Sequence, residues 1–193
     1  MQLRRQDVVV GALAILDEYG LADLTMRRLA GSLGVGPGAL YWHFPNKQAL
    51  LGAVSDLVLA PVGRPFTTST WDGRATEAAH RLRDALLAHR DGAEVVASSL
   101  SARTVTSLVR DLLCDTMSAA DLDDSDASSA ADTLLYYVLG AAMDEQARLQ
   151  LDSAGALTES ASPIAESPSA TERFGFGLEL FLDGVRHRVH AMR

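Results

Sequence analysis

Apolar side chains recur at helical intervals along most of the chain. Val8, Ala12, Ile15 and Leu16 form one stripe and predict a first helix from Arg5 to Tyr19, ended by Gly20. Leu24, Leu29 and Leu33, then Val35 and Leu40, fall where two short crossed helices bury their inner faces. A fourth helix from Asn46 to about Val62 carries Leu50, Leu51, Val54, Leu57 and Val58 on two faces, which predicts contacts on both sides. Pro61, Gly63 and Pro65 break the pattern. Helices are then predicted over Trp71 to Ala88, over a short segment from Ala93 to Leu100, and over Thr104 to Met117 with Val105, Leu108, Leu112 and Leu113 inward. A solvated acidic loop, Asp121 to Asp126, leads to a long helix from Ala127 to Leu151, and a last helix covers Glu172 to His190. Between these two, Leu157 to Thr171 mixes serine and proline and is expected to form a mobile loop. The pattern is that of an all-α protein.

Local chemistry sharpens the stretch LTMRRLAGSLGVGPGALYWHFPNKQALL, Leu24 to Leu51. Thr25 is placed to cap one helix, Gly34 to end it through a left-handed backbone, and Pro37 to open the next, where a missing N–H costs nothing. Leu40 points inward, leaving Tyr41, Trp42 and His43 on the outer face and end of a short helix. Pro45 stops it, Asn46 caps the following helix, and Lys47 falls in its first turn. A cation there is unfavourable by ~0.3–1 kcal/mol, so an external anion such as a phosphate explains it better than helix stability does. Spacing alone leaves two readings open: a helix-turn-helix that meets DNA, or plain helical packing with Trp42 in a core.

Charge changes the balance between them. The net charge of −8 argues against a nucleic-acid partner, but no acidic residue occurs from Leu24 to Leu51. Residues 1–50 hold five Lys/Arg against four Asp/Glu, and the remainder holds 12 against 21. A basic head on an acidic body binds phosphate with the head and is repelled elsewhere. No run of 18 uncharged apolar residues is present, and Asp7, Asp17 and Glu18 argue against an export signal at the start. The single cysteine, Cys114, excludes an intrachain disulfide and suits a reducing cytoplasm. His80 and His89, nine apart, do not stack, no nucleophile or phosphate-loop signature accompanies them, and with Asp84 and Asp91 they read as a solvated helix face.

The segment from Arg4 to Leu51, and LYWHFPNKQALL above all, resembles the DNA-binding domain of the tetracycline repressor (TetR) family. Weaker similarity to the tetracycline-repressor branch continues in LLAHRDGAEVV (Leu86 to Val96), YYVLGAAMDEQ (Tyr136 to Gln146) and FGLELFLDGVRHRV. The resemblance implies a three-helix DNA-binding domain over residues 1–46 and a helical ligand-binding and dimerisation domain over 47–193. It places base and phosphate contacts at Arg27, Gly36, Pro37, Gly38, Ala39, Tyr41, Trp42, His43 and Lys47. Where the tetracycline repressor has larger polar residues before the tyrosine, this chain has Gly36, Pro37, Gly38 and Ala39. Arg27, worth ~1–3 kcal/mol if bidentate to guanine, and the Ala39 methyl against thymine then carry specificity, at a site different from the tetracycline operator.

The resemblance also bears on the ligand. The tetracycline repressor holds a magnesium chelate of the drug, and the matching positions here are Gly63, Ala78, Leu82, Val96 and Tyr136, with only Asp144 keeping an acid. Imidazole is a metal ligand and valine is not, so the chelate site is lost and neither metal nor cofactor is expected. What remains is a pocket of Leu82, Leu86, Val96, Leu100, Leu112, Tyr136, Tyr137 and Met143, suited to a small hydrophobic or aromatic effector. Tyr136 is equally readable as packed core. The two helices flanking the serine-rich loop suit a four-helix bundle made across a homodimer. The function implied is a ligand-released repressor on a palindromic operator. An activator of the same fold and a helical scaffold that binds no DNA are the alternatives.

Overall fold

The structure, a computed structural model, describes residues 3–157 and 169–191. The core of the predicted mobile loop, residues 158–168, therefore lies outside the described residues. In chain order the helices are α1 (Arg5–Tyr19), α2 (Met26–Ser32), α3 (Pro37–Tyr41), α4 (Lys47–Leu59), α5 (Trp71–Leu87), α6 (Gly92–Ser101), α7 (Leu108–Ser118), α8 (Asp124–Ser153) and α9 (Ala170–Ala191). A 3-10 turn, Ala60–Gly63, follows α4. No strand occurs among the described residues.

Two compact units divide the chain. The first comprises residues 1–61 and 85–106. Here Val8, Ala12, Ile15 and Leu16 of α1 pack with Leu24, Leu29, Leu40 and Phe44, all buried. Helix α4 packs on α1 and on α6, as its two apolar faces require. Its Gly52 is the close-approach point, because a Cβ there would lie 2.2 Å from the Thr104 carbonyl oxygen. Asp56 of α4 accepts from the Thr106 N–H at 2.9 Å and its hydroxyl at 2.8 Å. These bonds explain why α7 starts at Leu108 and not at Thr104 as the apolar spacing predicts. Residues 104–106 are drawn onto α4 and α6, with Arg103 in a left-handed conformation at φ 54° and the Thr104 N–H bonded to the Ser99 carbonyl.

The second unit comprises residues 62–84 and 107–193. The later start of α7 turns Val109, Leu113 and Met117 inward and leaves Leu108 exposed, contrary to expectation. Helix α8 begins three residues earlier than Ala127, since the Asp123 carboxylate caps it by accepting from the Asp126 N–H at 2.8 Å. Its buried stripe is Ala127, Ala131, Leu134, Leu135, Val138, Leu139 and Ala142. Helix α9 buries Phe174, Leu178, Leu182 and Val185. Arg83 of α5, almost fully buried, forms a bidentate pair with Glu145 of α8 at 2.7–3.1 Å and lies over the Phe174 ring. The Tyr137 hydroxyl donates to the Phe174 carbonyl at 2.6 Å, and burial raises that phenol above its ordinary value, keeping it the donor.

Candidate nucleic-acid interface

Helices α2 and α3 are set by four local devices. Thr25 Oγ1 accepts from the Arg28 N–H at 3.1 Å, and Asn46 Oδ1 accepts from the Ala49 N–H at 2.8 Å, so both predicted caps form. Gly34 takes φ 66°, letting the Val35 N–H reach back to the Ala30 carbonyl at 3.0 Å and turn the chain into Pro37 at the start of α3. Leu40 then locks α3 inward, fully buried.

What α3 presents outward follows from that anchoring. Trp42 is 91% exposed and Tyr41 51%, so Trp42 is not core. Gly36, Pro37 and Gly38 are exposed, with Ala39 and His43 half-buried beside them. A Cβ added at Gly36 or Gly38 meets nothing within 4 Å. Glycine in a helix costs about 0.5–1 kcal/mol against alanine, and no neighbour among the described residues requires it here. The front of α3 is thus bare without an internal reason.

The cations around α3 divide into tied and untied. Arg28 pairs with Asp23, just outside the acid-free stretch, and stacks over the Tyr19 ring at 3.8 Å. Arg5 lies over Phe44 at 4.4 Å. Arg27, one position from Arg28, is exposed and has no partner among the described residues. Lys47 differs from expectation: its ammonium reaches the Leu21 carbonyl at 3.5 Å, the outer limit of a hydrogen bond, so the chain itself supplies a weak resting acceptor. Sequence reasoning missed Phe44 as core and Arg5 as its cover, although an aromatic directly before Pro45 was the available signal.

The residues expected around an effector are distributed over both units. In the first unit Leu86 and Val96 are fully buried and Leu100 partly so. In the second unit Leu82 is buried, while Leu112 and Tyr137 are half-buried. Tyr137 borders a recess of about 180 Å³ with Ala141, Asp144, Glu145, Ala170, Arg173 and Phe174. Tyr136 and Met143 were expected in the effector wall. They stand 67% and 42% exposed, because the buried stripe of α8 turns residues 136, 140 and 143 to its opposite face. On α9, Phe176 and Leu180 are likewise 68% and 58% exposed.

A three-helix unit with an acid-free, glycine-fronted short helix and an untied arginine defines a helix-turn-helix DNA-binding protein. Comparison with known proteins gives the family. The pattern described as bacterial regulatory proteins, tetR family, matches residues 8–54, and the tetracyclin repressor-like C-terminal domain matches residues 64–168. The class E tetracycline repressor of Escherichia coli is 34% identical over 193 residues, covering 95% of this chain and 90% of that one. The crystal structure of Mycobacterium smegmatis BioQ superposes with a TM-score of 0.87 at 45% identity, covering 96% of this chain and 99% of that one. A structure of BioQ with its natural double-stranded DNA operator is 43% identical, with a TM-score of 0.81 and the same coverage. The chain belongs to the tetR family of bacterial regulatory proteins.

Proposed function

We propose that this protein is a transcriptional repressor that binds a palindromic operator as a homodimer and is released by a small hydrophobic or aromatic effector. The observation that carries the reading is the bare front of α3. Gly36 and Gly38 face open space beside Trp42, in a chain 43% identical to BioQ, which has been solved on its operator. In this reading residues 1–46 are the DNA-binding domain and 47–193 carry effector binding and dimerisation. Gly36, Pro37, Gly38 and Ala39 let α3 sit deep in the major groove. Arg27 and Tyr41 reach base edges, and Trp42, His43 and Lys47 hold the backbone. Lys47 exchanges its weak bond to Leu21 for a phosphate.

One helix-turn-helix reads one half-site, so the second comes from a twofold partner. The outward apolar side chains of α8 and α9, Tyr136, Met143, Phe176 and Leu180, are the surface that partner covers. Ala78, Leu82 and Val96, which the resemblance matches to chelate-binding positions, are buried and have no side-chain donor for a metal, so this reading leaves out a magnesium chelate of tetracycline as the effector. Effector contacts are proposed within each unit separately: Leu86, Val96 and Leu100 in the first, and Leu82, Leu112 and Tyr137 in the second. No described helix is long and apolar enough to cross a membrane. Electrophoretic mobility shift with the DNA upstream of its own gene tests the reading, followed by release with a panel of hydrophobic small molecules. A retarded complex that an apolar compound dissolves is expected. No complex at low salt would contradict it.

A further inference from the structure

Two arginines of the first unit lie over aromatic rings, and they differ in what neutralises them. Arg28 stacks on Tyr19 at 3.8 Å and also pairs with the Asp23 carboxylate. Arg5 of α1 lies over the Phe44 ring at 4.4 Å, is exposed, and meets no carboxylate among the described residues. Asp7, the nearest acid in sequence, engages its Oδ2 with the Arg4 backbone N–H at 2.8 Å. Arg5 is therefore held in place without being neutralised. The ring that holds it is itself fixed. Phe44 is 1% exposed, and its N–H donates to the Leu40 carbonyl at 2.9 Å, as does that of His43. It sits at the corner where α3 ends and α4 begins, between His43 and Lys47 in the chain. Because no acid occurs from Leu24 to Leu51, this corner offers the Arg5 charge nothing of opposite sign. A guanidinium lying over a ring keeps its N–H donors available, and it loses less side-chain freedom when they then meet a phosphate.

We infer that Arg5 is a phosphate-binding residue: pinned on Phe44, it holds a backbone phosphate of the duplex and extends the contact from the α3–α4 corner to α1. The inference rests on the DNA-binding reading and adds to it a residue outside the α2–α3 motif. A phosphate contact carries no sequence information, so Arg5 contributes affinity while Arg27 contributes discrimination. The competing role for such an arginine is to cover a buried ring with its methylene stem. Methionine covers a ring as arginine does but carries no charge, which makes the two roles separable.

The full chain is titrated by fluorescence anisotropy against two labelled duplexes, the DNA upstream of its own gene and a random-sequence duplex of equal length, at about 50 and 200 mM salt. Arg5→Met keeps the apolar stem and removes the charge, whereas Arg5→Lys keeps the charge and removes the planar fork. Each phosphate contact contributes about 0.9 to the slope of log affinity against log salt, and a dimer has two such contacts. The advantage of wild type over Arg5→Met should therefore shrink roughly tenfold between the two salt concentrations. At the lower one Arg5→Met should bind both duplexes at least roughly tenfold more weakly, and by the same factor. Arg5→Lys should keep the wild-type slope. Arg5→Met affinities within twofold of wild type on both duplexes, or an unchanged slope, overturn the assignment and leave Arg5 as the cover of Phe44. A loss confined to the upstream DNA overturns it too, since a base contact would then be the cause, as does a slope for Arg5→Lys as low as that of Arg5→Met. Should Arg5→Met fail to fold, Arg5→Gln is judged by the same criteria. Wild type that binds neither duplex refutes the DNA-binding reading itself, whereas wild type that binds both and is matched by Arg5→Met refutes this contact alone.

Discussion

Replacing Gly38 by alanine separates what the chain needs from what DNA needs. A methyl at this position meets no atom within 4 Å among the described residues outside its own helix backbone, and its backbone is not left-handed. Within the protein the change is favourable: alanine loses less conformational entropy than glycine in a helix, by about 0.5–1 kcal/mol. Gly38 lies in the first turn of α3, where the gain falls at the lower end. For a chain of this length that raises the unfolding midpoint by about 1–3 °C. On the duplex the same methyl occupies the space through which α3 approaches the bases. An extra methylene in a filled contact costs about 1–3 kcal/mol, or roughly 5–150-fold in dissociation constant. Differential scanning fluorimetry reads the first quantity, and fluorescence anisotropy on a labelled operator reads the second. The two must move in opposite directions. A stabilised protein that binds its operator within twofold of wild type would refute the argument that glycine is kept for close approach.

Arg27→Ala removes the untied guanidinium and lowers operator affinity by about 1–3 kcal/mol in anisotropy titrations, while sedimentation still reports a dimer. Gly52→Ala drives a methyl against the Thr104 carbonyl, which cannot rotate away, and lowers stability by about 1–3 kcal/mol in urea unfolding; an unchanged midpoint contradicts it. Gly140→Trp fills space that is open in the single chain, so helix content is retained in circular dichroism while sedimentation shows monomer. The hold on α9 weakens in acid. Hydrogen bonding to Arg186 lowers the Asp72 carboxyl, and hydrogen bonding to Arg188 lowers that of Asp126. Both folded values lie below the unfolded ones, so the stability they contribute is present above the ordinary carboxylate range near pH 4 and is lost as pH falls through the lower folded values. Denaturation midpoints should drop less on acidification in Arg186→Met than in wild type.

The helix-turn-helix was legible because its signals are local. Thr25, Gly34, Pro37 and Asn46 each act on backbone within a few residues, and each forms the cap, turn or start its chemistry predicts. Local signals failed where distant groups intervene. The apolar spacing after Thr104 reads as helix, yet Asp56, fifty positions earlier, draws Thr106 out of it. The acidic run after Asp121 reads as loop, yet the first turn of α8 uses those acids at its positive end. At the interface, sequence identified the acid-free stretch but not which cation Asp23 pairs and Tyr19 stacks against, nor that Leu21 offers Lys47 an acceptor. The contacts of Asp17 with His89 and of Asp91 with the Leu21 N–H join positions 72 and 70 residues apart, beyond the reach of periodicity.

The central claim is that this chain delivers two copies of α3 to one duplex. Hydroxyl-radical footprinting of the operator, with the complex sized by sedimentation, tests it most directly. Two protected half-sites centred about one helical turn or a multiple apart, bound by an even number of chains, is the predicted result. A single protected patch bound by one chain, or a footprint unchanged by Trp42→Ala and Arg27→Ala together, contradicts it.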